Sequence, residues 1–408
     1  MSISQWSSTS SLTTKTNYMP TNEEAGITAS PMQTEAYFGQ STAISGDGTR
    51  VAVGASGANN AGVYHGLVYI FRKDSGSWVQ ETIISPSDGG NSDSFGYSVA
   101  LDDTGTRIII SSPYNDPTSI ANAGAVYIFT RSGTSWTQEA KLLGTMLESN
   151  RMLGDSVDID NTGARIIVGA RYFGRVYIFT RSGTNWTQEV VLTKNGGSFG
   201  NSVSIDSTGT RIAIGAPEDT TPLGLIRGRC YIYIRSGASW TEEYNFYSSL
   251  AAYGDNFSYV VDIDGSGFRV LVCHYSGDPS GVTDSGQVFI LSRSGTTWSQ
   301  ETALSASDKA ASDSFGSFAK FNNDGSRLII GCRNNDPGGV ANAGAAYIFT
   351  RSGSTWSQQI KLSSSDKVSG DVFSCSVAMS GDGSVAIIGA RNKDPSGISN
   401  AGKAYIFS

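Results

Sequence analysis

Residues 95–112 read FGYSVALDDTGTRIIISS and residues 125–138 read AVYIFTRSGTSWTQ. The first stretch predicts a strand over 95–102, a turn carrying Gly105, and a second strand from Arg107 to Ser111 rich in β-branched residues. That is a hairpin pattern. The second stretch predicts a third strand over 125–130, the turn Arg131-Ser132-Gly133, and a fourth strand starting at Trp136. Four antiparallel strands in this order make one blade of a β-propeller.

The unit repeats along the whole chain. A Phe-Gly pair or its equivalent recurs at Phe38-Gly39, Phe95-Gly96, Leu153-Gly154, Phe199-Gly200, Phe257-Ser258, Phe315-Gly316 and Phe373-Ser374, at intervals of 57, 58, 46, 58, 58 and 58 residues. Self-similarity at a fixed period is the mark of a repeat architecture. A Trp recurs at 78, 136, 186, 240, 298 and 356, usually 17 residues before the next Phe, so it has a fixed place, expected to be packing between blades. The expected fold is therefore all-β: a single seven-bladed propeller of four-stranded antiparallel blades spanning residues 1–408.

The last unit stops at Tyr405-Ile406-Phe407-Ser408, before any turn or Trp strand, while a seventh Trp stands at Trp6. The expectation is that the N-terminal strand completes the last blade and closes the ring. On this reading residues 2–12 form the closing strand, 13–37 a connecting segment and 38–408 the seven repeats. Closure removes sheet edges that would otherwise invite aggregation.

These residues resemble the FG-GAP repeat, found in the integrin α-subunit propeller and in many bacterial and viral surface proteins. The resemblance is carried by Ser94-Phe95-Gly96-Tyr97-Ser98-Val99, by Val168-Gly169-Ala170, and by Ala125-Val126-Tyr127-Ile128-Phe129 followed by Arg131-Ser132-Gly133 and Trp136-Thr137-Gln138. It implies a seven-bladed propeller used in adhesion or recognition of a protein or glycan partner, often extracellular or on a virion or cell surface.

Composition narrows the function. A net charge of −7, with no run of Lys or Arg, argues against nucleic-acid binding. No apolar stretch approaches membrane-spanning length, and no Sec signal peptide is visible. Cys230, Cys273, Cys332 and Cys375 occupy different repeat positions, so they are expected to be free, mostly buried thiols, neither a disulfide framework nor metal ligands. His65 and His274 fall in no catalytic motif, which points to a non-enzyme. The competing reading is a carbohydrate-active hydrolase using paired carboxylates on the long-loop face.

The acidic turns are the remaining chemistry. Asp158-Ile159-Asp160-Asn161-Thr162-Gly163 and Asp262-Ile263-Asp264-Gly265-Ser266-Gly267 are the best candidates for calcium, but they lack a carboxylate at the central ligand position. Calcium takes six to eight oxygens, so turn capping is the favoured role and no cofactor or metal is expected. Asp88 with Asp93, Asp308 with Asp313, and Asp366 with Asp371 are also read as caps. Arg50, Arg107, Arg165, Arg211, Arg269 and Arg327, opening the second strands, are expected to pair with turn acids as scaffold.

Binding is expected where the repeats differ, because a rigid scaffold displays function on its loops. Unit three has a short loop, 170–175, and a short following connection, which should leave a notch in the long-loop rim. The aromatic residues around it, Tyr172, Phe173, Tyr247, Tyr253, His274 and Tyr275, are the candidate ligand-binding residues.

Overall fold

The structure is a computed structural model and describes residues 19–220, 226–248 and 255–408. Seven four-stranded antiparallel sheets form the blades, and six of them run in simple sequence order from inner to outer strand. Blade 2 is representative: Val99–Leu101, Arg107–Ser112, Ala125–Ser132 and Ser135–Leu142. Its two middle strands are buried on both faces, because each blade is sandwiched between two others, and they accordingly read as unbroken apolar runs. The outer strand is only partly buried and carries the polar residues.

The repeated motifs have repeated contacts. Phe38, Phe95, Phe199, Phe257, Phe315 and Phe373 are fully buried. Phe95 meets Tyr127 and Phe129 edge-on at 5.4 and 6.2 Å, in a cluster that also draws Val68 and Ile70 from blade 1. The glycine of Val-Gly-Ala lies against the next blade's Phe-Gly: a Cβ on Gly54 would stand 2.1 Å from the Gly96 carbonyl oxygen, and Gly96 itself has φ +87°. No side chain fits at the first position, and the second takes one only under strain.

The Trp packs across a blade boundary, as expected, and in three blades its indole N–H reaches an acid. Trp136 donates to Glu81 at 2.9 Å, Trp186 to Glu139 at 2.8 Å and Trp356 to Glu301 at 2.8 Å. Five of the six arginines that open the second strands go to the outer-strand glutamates rather than to turn acids: Arg165 Nε lies 2.9 Å from Glu189, and Arg211 Nε 3.0 Å from Glu243; Arg327, whose outer strand carries Gln359, donates to the Gly383 carbonyl at 2.9 Å. A strand-three arginine of the following blade adds a second cation, as Arg235 does at 2.6 Å from Glu189. Burial opposes ionisation of Glu189, but the hydrogen bonds from Arg235 and Arg165 outweigh it and hold its carboxyl below the usual range. The arginines keep their scaffold role; the partner differs because the outer strand, and not the turn, brings a carboxylate beside them.

The ring closes through the N-terminal segment, but not through the residues the Trp pattern suggested. Glu23–Ile27 is the outer strand of blade 7, pairing antiparallel with Lys403–Phe407 as Ile27↔Ala404, Gly26↔Tyr405 and Ala25↔Ile406. This places the closing strand inside the segment read as a connection, while residues 2–12 and Trp6 lie outside the described residues. The physical reason is register: Thr21 stands 17 residues before Phe38, the spacing that separates Trp78 from Phe95. Glu24 then falls where blades 1 to 5 carry their glutamate, and it pairs with Lys73 of blade 1 at 2.6 Å. The strand lacks only the indole.

Cys230, Cys273, Cys332 and Cys375 are free and buried. Among the described residues no helix is long and apolar enough to cross a membrane.

Candidate functional site

The two ends of the central channel differ. At one end the tight turns after the inner strands bond to one another through the backbone: Asn161 N–H to Ser207, Ser207 to Gly265, Asn323 to Gly381, Gly381 to Gly46 and Gly46 to Asp103, at 2.8–3.3 Å. The space enclosed there is about 90 Å³. Asp160 accepts from Ala164 N–H at 2.8 Å and Thr162 Oγ1 at 3.0 Å, and Asp264 from Phe268 and Arg269 N–H at 2.9 and 3.1 Å. These carboxylates cap their turns. Asp158 and Asp262 instead face a lysine: Lys320 Nζ is 2.7 Å from Asp262 and 3.5 Å from Asp158, and Ser204 Oγ bonds both. The paired acids raise the Lys320 pKa despite burial. Among the described residues no three His, Cys, Asp or Glu side chains stand close enough to hold a metal.

The other acids are likewise engaged. Asp93 accepts from Gly90 N–H at 2.7 Å and Asn115 Nδ2 at 2.6 Å. Asp88 ties Tyr127 and Lys141 of blade 2 at 2.8 and 2.6 Å, and Asp308 does the same with Tyr347 and Lys361. In the long loops Asp116, Asp278, Asp336 and Asp394 each accept a backbone N–H six residues on, which stiffens the rim.

At the long-loop end the channel opens into a mouth of about 220 Å³. One repeat position recurs in its walls, the residue after Phe-Gly or its equivalent, which is Gln40, Tyr97, Asp155, Asn201, Tyr259, Ser317 and Cys375 around the ring; the first five line the cavity, with Arg171 and residues of the next two positions beside them. These residues are linked across blades 3 to 5. Arg171 Nη1 donates to Asn201 Oδ1 at 2.9 Å, and Asn201 Nδ2 donates to the Tyr259 carbonyl at 2.7 Å. The Asp155 side chain is only 5% exposed; its Oδ2 lies 3.4 Å from Arg171 Nε and accepts no hydrogen bond. Burial raises its pKa to about 6, with Arg171 opposing. Burial also pushes the Tyr97 phenol up to about 12.

A second hollow of about 320 Å³ continues outward over blades 3 and 4, lined by Arg171, Tyr172, Gly197, Pro217, Glu218 and Tyr259. It lies in the sector shortened by the 170–175 loop, where Arg171–Phe173 forms a single turn.

The aromatic residues singled out in the sequence are scattered. Tyr172 lines the outer hollow, 54% exposed, with its hydroxyl accepting from Arg171 Nη2 at 3.1 Å. Phe173 and Tyr247 are 43% and 41% exposed, each covered by an arginine, Arg151 at 4.1 Å and Arg229 at 5.4 Å from the ring centroid. Tyr275 packs edge-on against Tyr259 at 5.1 Å. His274 is 2% exposed, packed by Phe257 and Phe289, with Nε2 3.2 Å from Asp255. Desolvation lowers its pKa. It ends a buried strand, so it is not presented to a surface partner. Tyr253 lies outside the described residues. The mouth residues Gln40, Tyr97, Asp155, Asn201 and Tyr259 were missed. Their signal was present: they occupy the position directly after an otherwise repeated pair, and that position changes type around the ring.

The FG-GAP repeat family matches residues 21–71, 78–129, 298–349 and 356–407, half of the chain. The chain belongs to the FG-GAP repeat family. The first match opens at Thr21 and three others open at Trp78, Trp298 and Trp356, the same register that the closing strand adopts. No curated protein matches this FG-GAP chain in sequence. Among solved structures it is similar to a candidate 6-phosphogluconolactonase from Bacteroides uniformis, with 8% identity, TM-score 0.56 and coverage of 81% of this chain and 87% of that one. A similar protein from Bacteroides fragilis has 10% identity, TM-score 0.54 and coverage of 81% and 86%. A chain of the mitotic checkpoint complex has 13% identity, TM-score 0.59 and coverage of 95% and 94%. At such identities the likeness is one of fold.

Proposed function

We propose that this FG-GAP propeller is a non-catalytic recognition module that binds a protein or glycan partner through the long-loop face, at the central mouth and the hollow over blades 3 and 4. The carrying observation is that the variable position of the repeat converges on one concave site while the opposite end is narrowed by backbone bonds between its own turns. Specific sites are concave and carry a few converging polar groups, which the mouth supplies. Hydrolysis by paired carboxylates is less well supported, because Asp155 is the one carboxylate among the described residues lining the mouth. The resemblance to surface propellers extends the proposal to adhesion on a virion or cell surface.

The test is binding to glycan and protein arrays, with hydrolysis followed in parallel, using the parent and the variants Arg171→Ala and Tyr259→Ala. Partner binding without turnover, weakened by both variants, is the expected result. Turnover of a bound glycan, or binding indifferent to both substitutions, would overturn it.

A further inference from the structure

The rim of the mouth is divided by charge. The residue following the second strand is Ser56, Pro113, Arg171, Pro217, Tyr275, Arg333 and Arg391 in blades 1 to 7. Arg171 has Asp155 beside it, whereas Arg333 and Arg391 have no carboxylate partner among the described residues. Arg391 Nη1 donates to the neutral Gln40 Oε1 at 2.7 Å, and the Arg333 guanidinium lies over the Tyr275 ring at 5.5 Å. The Arg333 backbone N–H donates to Ser317 Oγ at 3.3 Å and the Arg391 backbone N–H to Cys375 Sγ at 3.4 Å, so both stand beside the blade 6 and blade 7 members of the mouth position. In a chain of net charge −7, this is a local positive field.

Across the mouth the requirement is opposite. Asp155 Oδ2 is buried and accepts no hydrogen bond, which favours a ligand that brings a donor. Asn201 and Tyr97 flank it, and serine and threonine hydroxyls from Ser41, Thr42, Ser98 and Ser202 line the wall. A cationic ligand would suit Asp155 but would be repelled by three guanidiniums. A plain anion would suit Arg333 and Arg391 but leave Asp155 Oδ2, ion-paired to Arg171, without a hydrogen bond. A compact ligand with a carboxylate at one end and hydroxyl donors at the other satisfies both, and Tyr259 and Tyr275 offer aromatic surface for a ring between them.

We propose that the mouth binds an acidic sugar residue, its carboxylate toward Arg333 and Arg391 and a ring hydroxyl donating to Asp155. This rests on the reading of the mouth as the binding site and assigns its ligand. Below the mouth Lys320 of blade 6 reaches Asp262 of blade 5 and Asp158 of blade 3, which narrows the channel.

The test is ligand-observed NMR titration of the whole protein with three probes: methyl glucuronide, methyl glucoside and N-acetyl-glutamate amide. The glucuronide is expected to bind at least about tenfold tighter than the glucoside, and tighter than the glutamate derivative. The double variant R333A/R391A should erase the preference for glucuronide, D155N should weaken both sugars, and Arg131→Ala on the tight-turn face should change nothing. Circular dichroism of each variant separates misfolding from lost contacts. Equal binding of the two sugars, or none of either, overturns the assignment of the ligand. Binding of the glutamate derivative alone, lost in R333A/R391A, also overturns the sugar but leaves the mouth as a protein-recognition site. Array partners indifferent to every mouth variant would remove the site itself.

Discussion

Ring closure at Glu23–Ile27 can be tested with one side chain. Ile27 is 6% exposed and sits in the core cluster that contains Phe38, Tyr69 and Ile406. Truncating a buried Ile to Ala costs about 2–5 kcal/mol, from lost transfer energy and the cavity left behind. In a solvent-exposed connection the same change would cost about 0.5 kcal/mol or less. With a urea slope of about 2–3 kcal/mol per molar, a loss of about 3 kcal/mol lowers the unfolding midpoint by roughly 1 M. The measurement is equilibrium urea unfolding of Ile27→Ala beside Trp6→Ala, followed by far-UV circular dichroism. A clear drop for Ile27→Ala is expected. An unchanged midpoint for Ile27→Ala, with a loss of about 3–5 kcal/mol for Trp6→Ala, would refute the register and restore residues 2–12 as the closing strand.

Glu189→Gln removes the acceptor shared by Arg165 and Arg235 and should cost about 2 kcal/mol at neutral pH. Because the folded pKa of Glu189 is depressed, its contribution is present above the unfolded value and fades as pH falls through the folded one, so the gap between parent and variant should shrink in unfolding experiments as the pH is lowered past the unfolded carboxylate value. Asp155 has the opposite sign. Its folded pKa of about 6 exceeds the unfolded value of about 3.9, so its ionisation subtracts stability as pH rises between the two. Asp155→Asn should therefore be more stable than the parent by about 2 kcal/mol at pH 8 and equal to it near pH 4. Ellman's reagent should leave all four thiols unmodified in the folded protein and titrate four after denaturation, since burial raises the thiol pKa at every one. Tyr172→Ala, Tyr259→Ala and Tyr275→Ala should each weaken partner binding about tenfold or more while changing the unfolding midpoint little.

What the sequence made legible was whatever the repeat states several times. Phe95, Gly96, the strand 125–130 and Trp136 have counterparts in nearly every blade, and each has one structural task, so period alone located them. The closing strand was missed because one indole at Trp6 outweighed spacing, although Thr21 and Glu24 kept the register without it. The arginine pairs were misassigned for a different reason. Arg165 and Glu189 are 24 residues apart and meet only because a hairpin returns the outer strand, a contact that local turn chemistry does not encode. Selecting site residues by aromatic character found Tyr172 at the outer hollow but also took His274, whose apolar surroundings show only in three dimensions.

The mouth owes its character to the way a propeller amplifies a single position. One position recurs in seven blades around one axis and five of its copies line the mouth, so substitutions that are far apart in sequence become neighbours without altering their sheets. Tyr97, Asp155, Asn201 and Tyr259 change type around the ring while the preceding Phe-Gly or its equivalent stays locked between blades by contacts such as Gly54 against the Gly96 carbonyl. Gln40 takes a hydrogen bond from Arg391, which follows the second strand of the neighbouring blade, so the variable position and the loop that follows act as one surface. The tight-turn end lacks this freedom, because its turns supply the backbone bonds that link adjacent hairpins. Mouth side chains can therefore change with little consequence for the scaffold, and the shortened 170–175 loop opens that mouth sideways over blades 3 and 4, where the proposed partner would extend if larger than one residue.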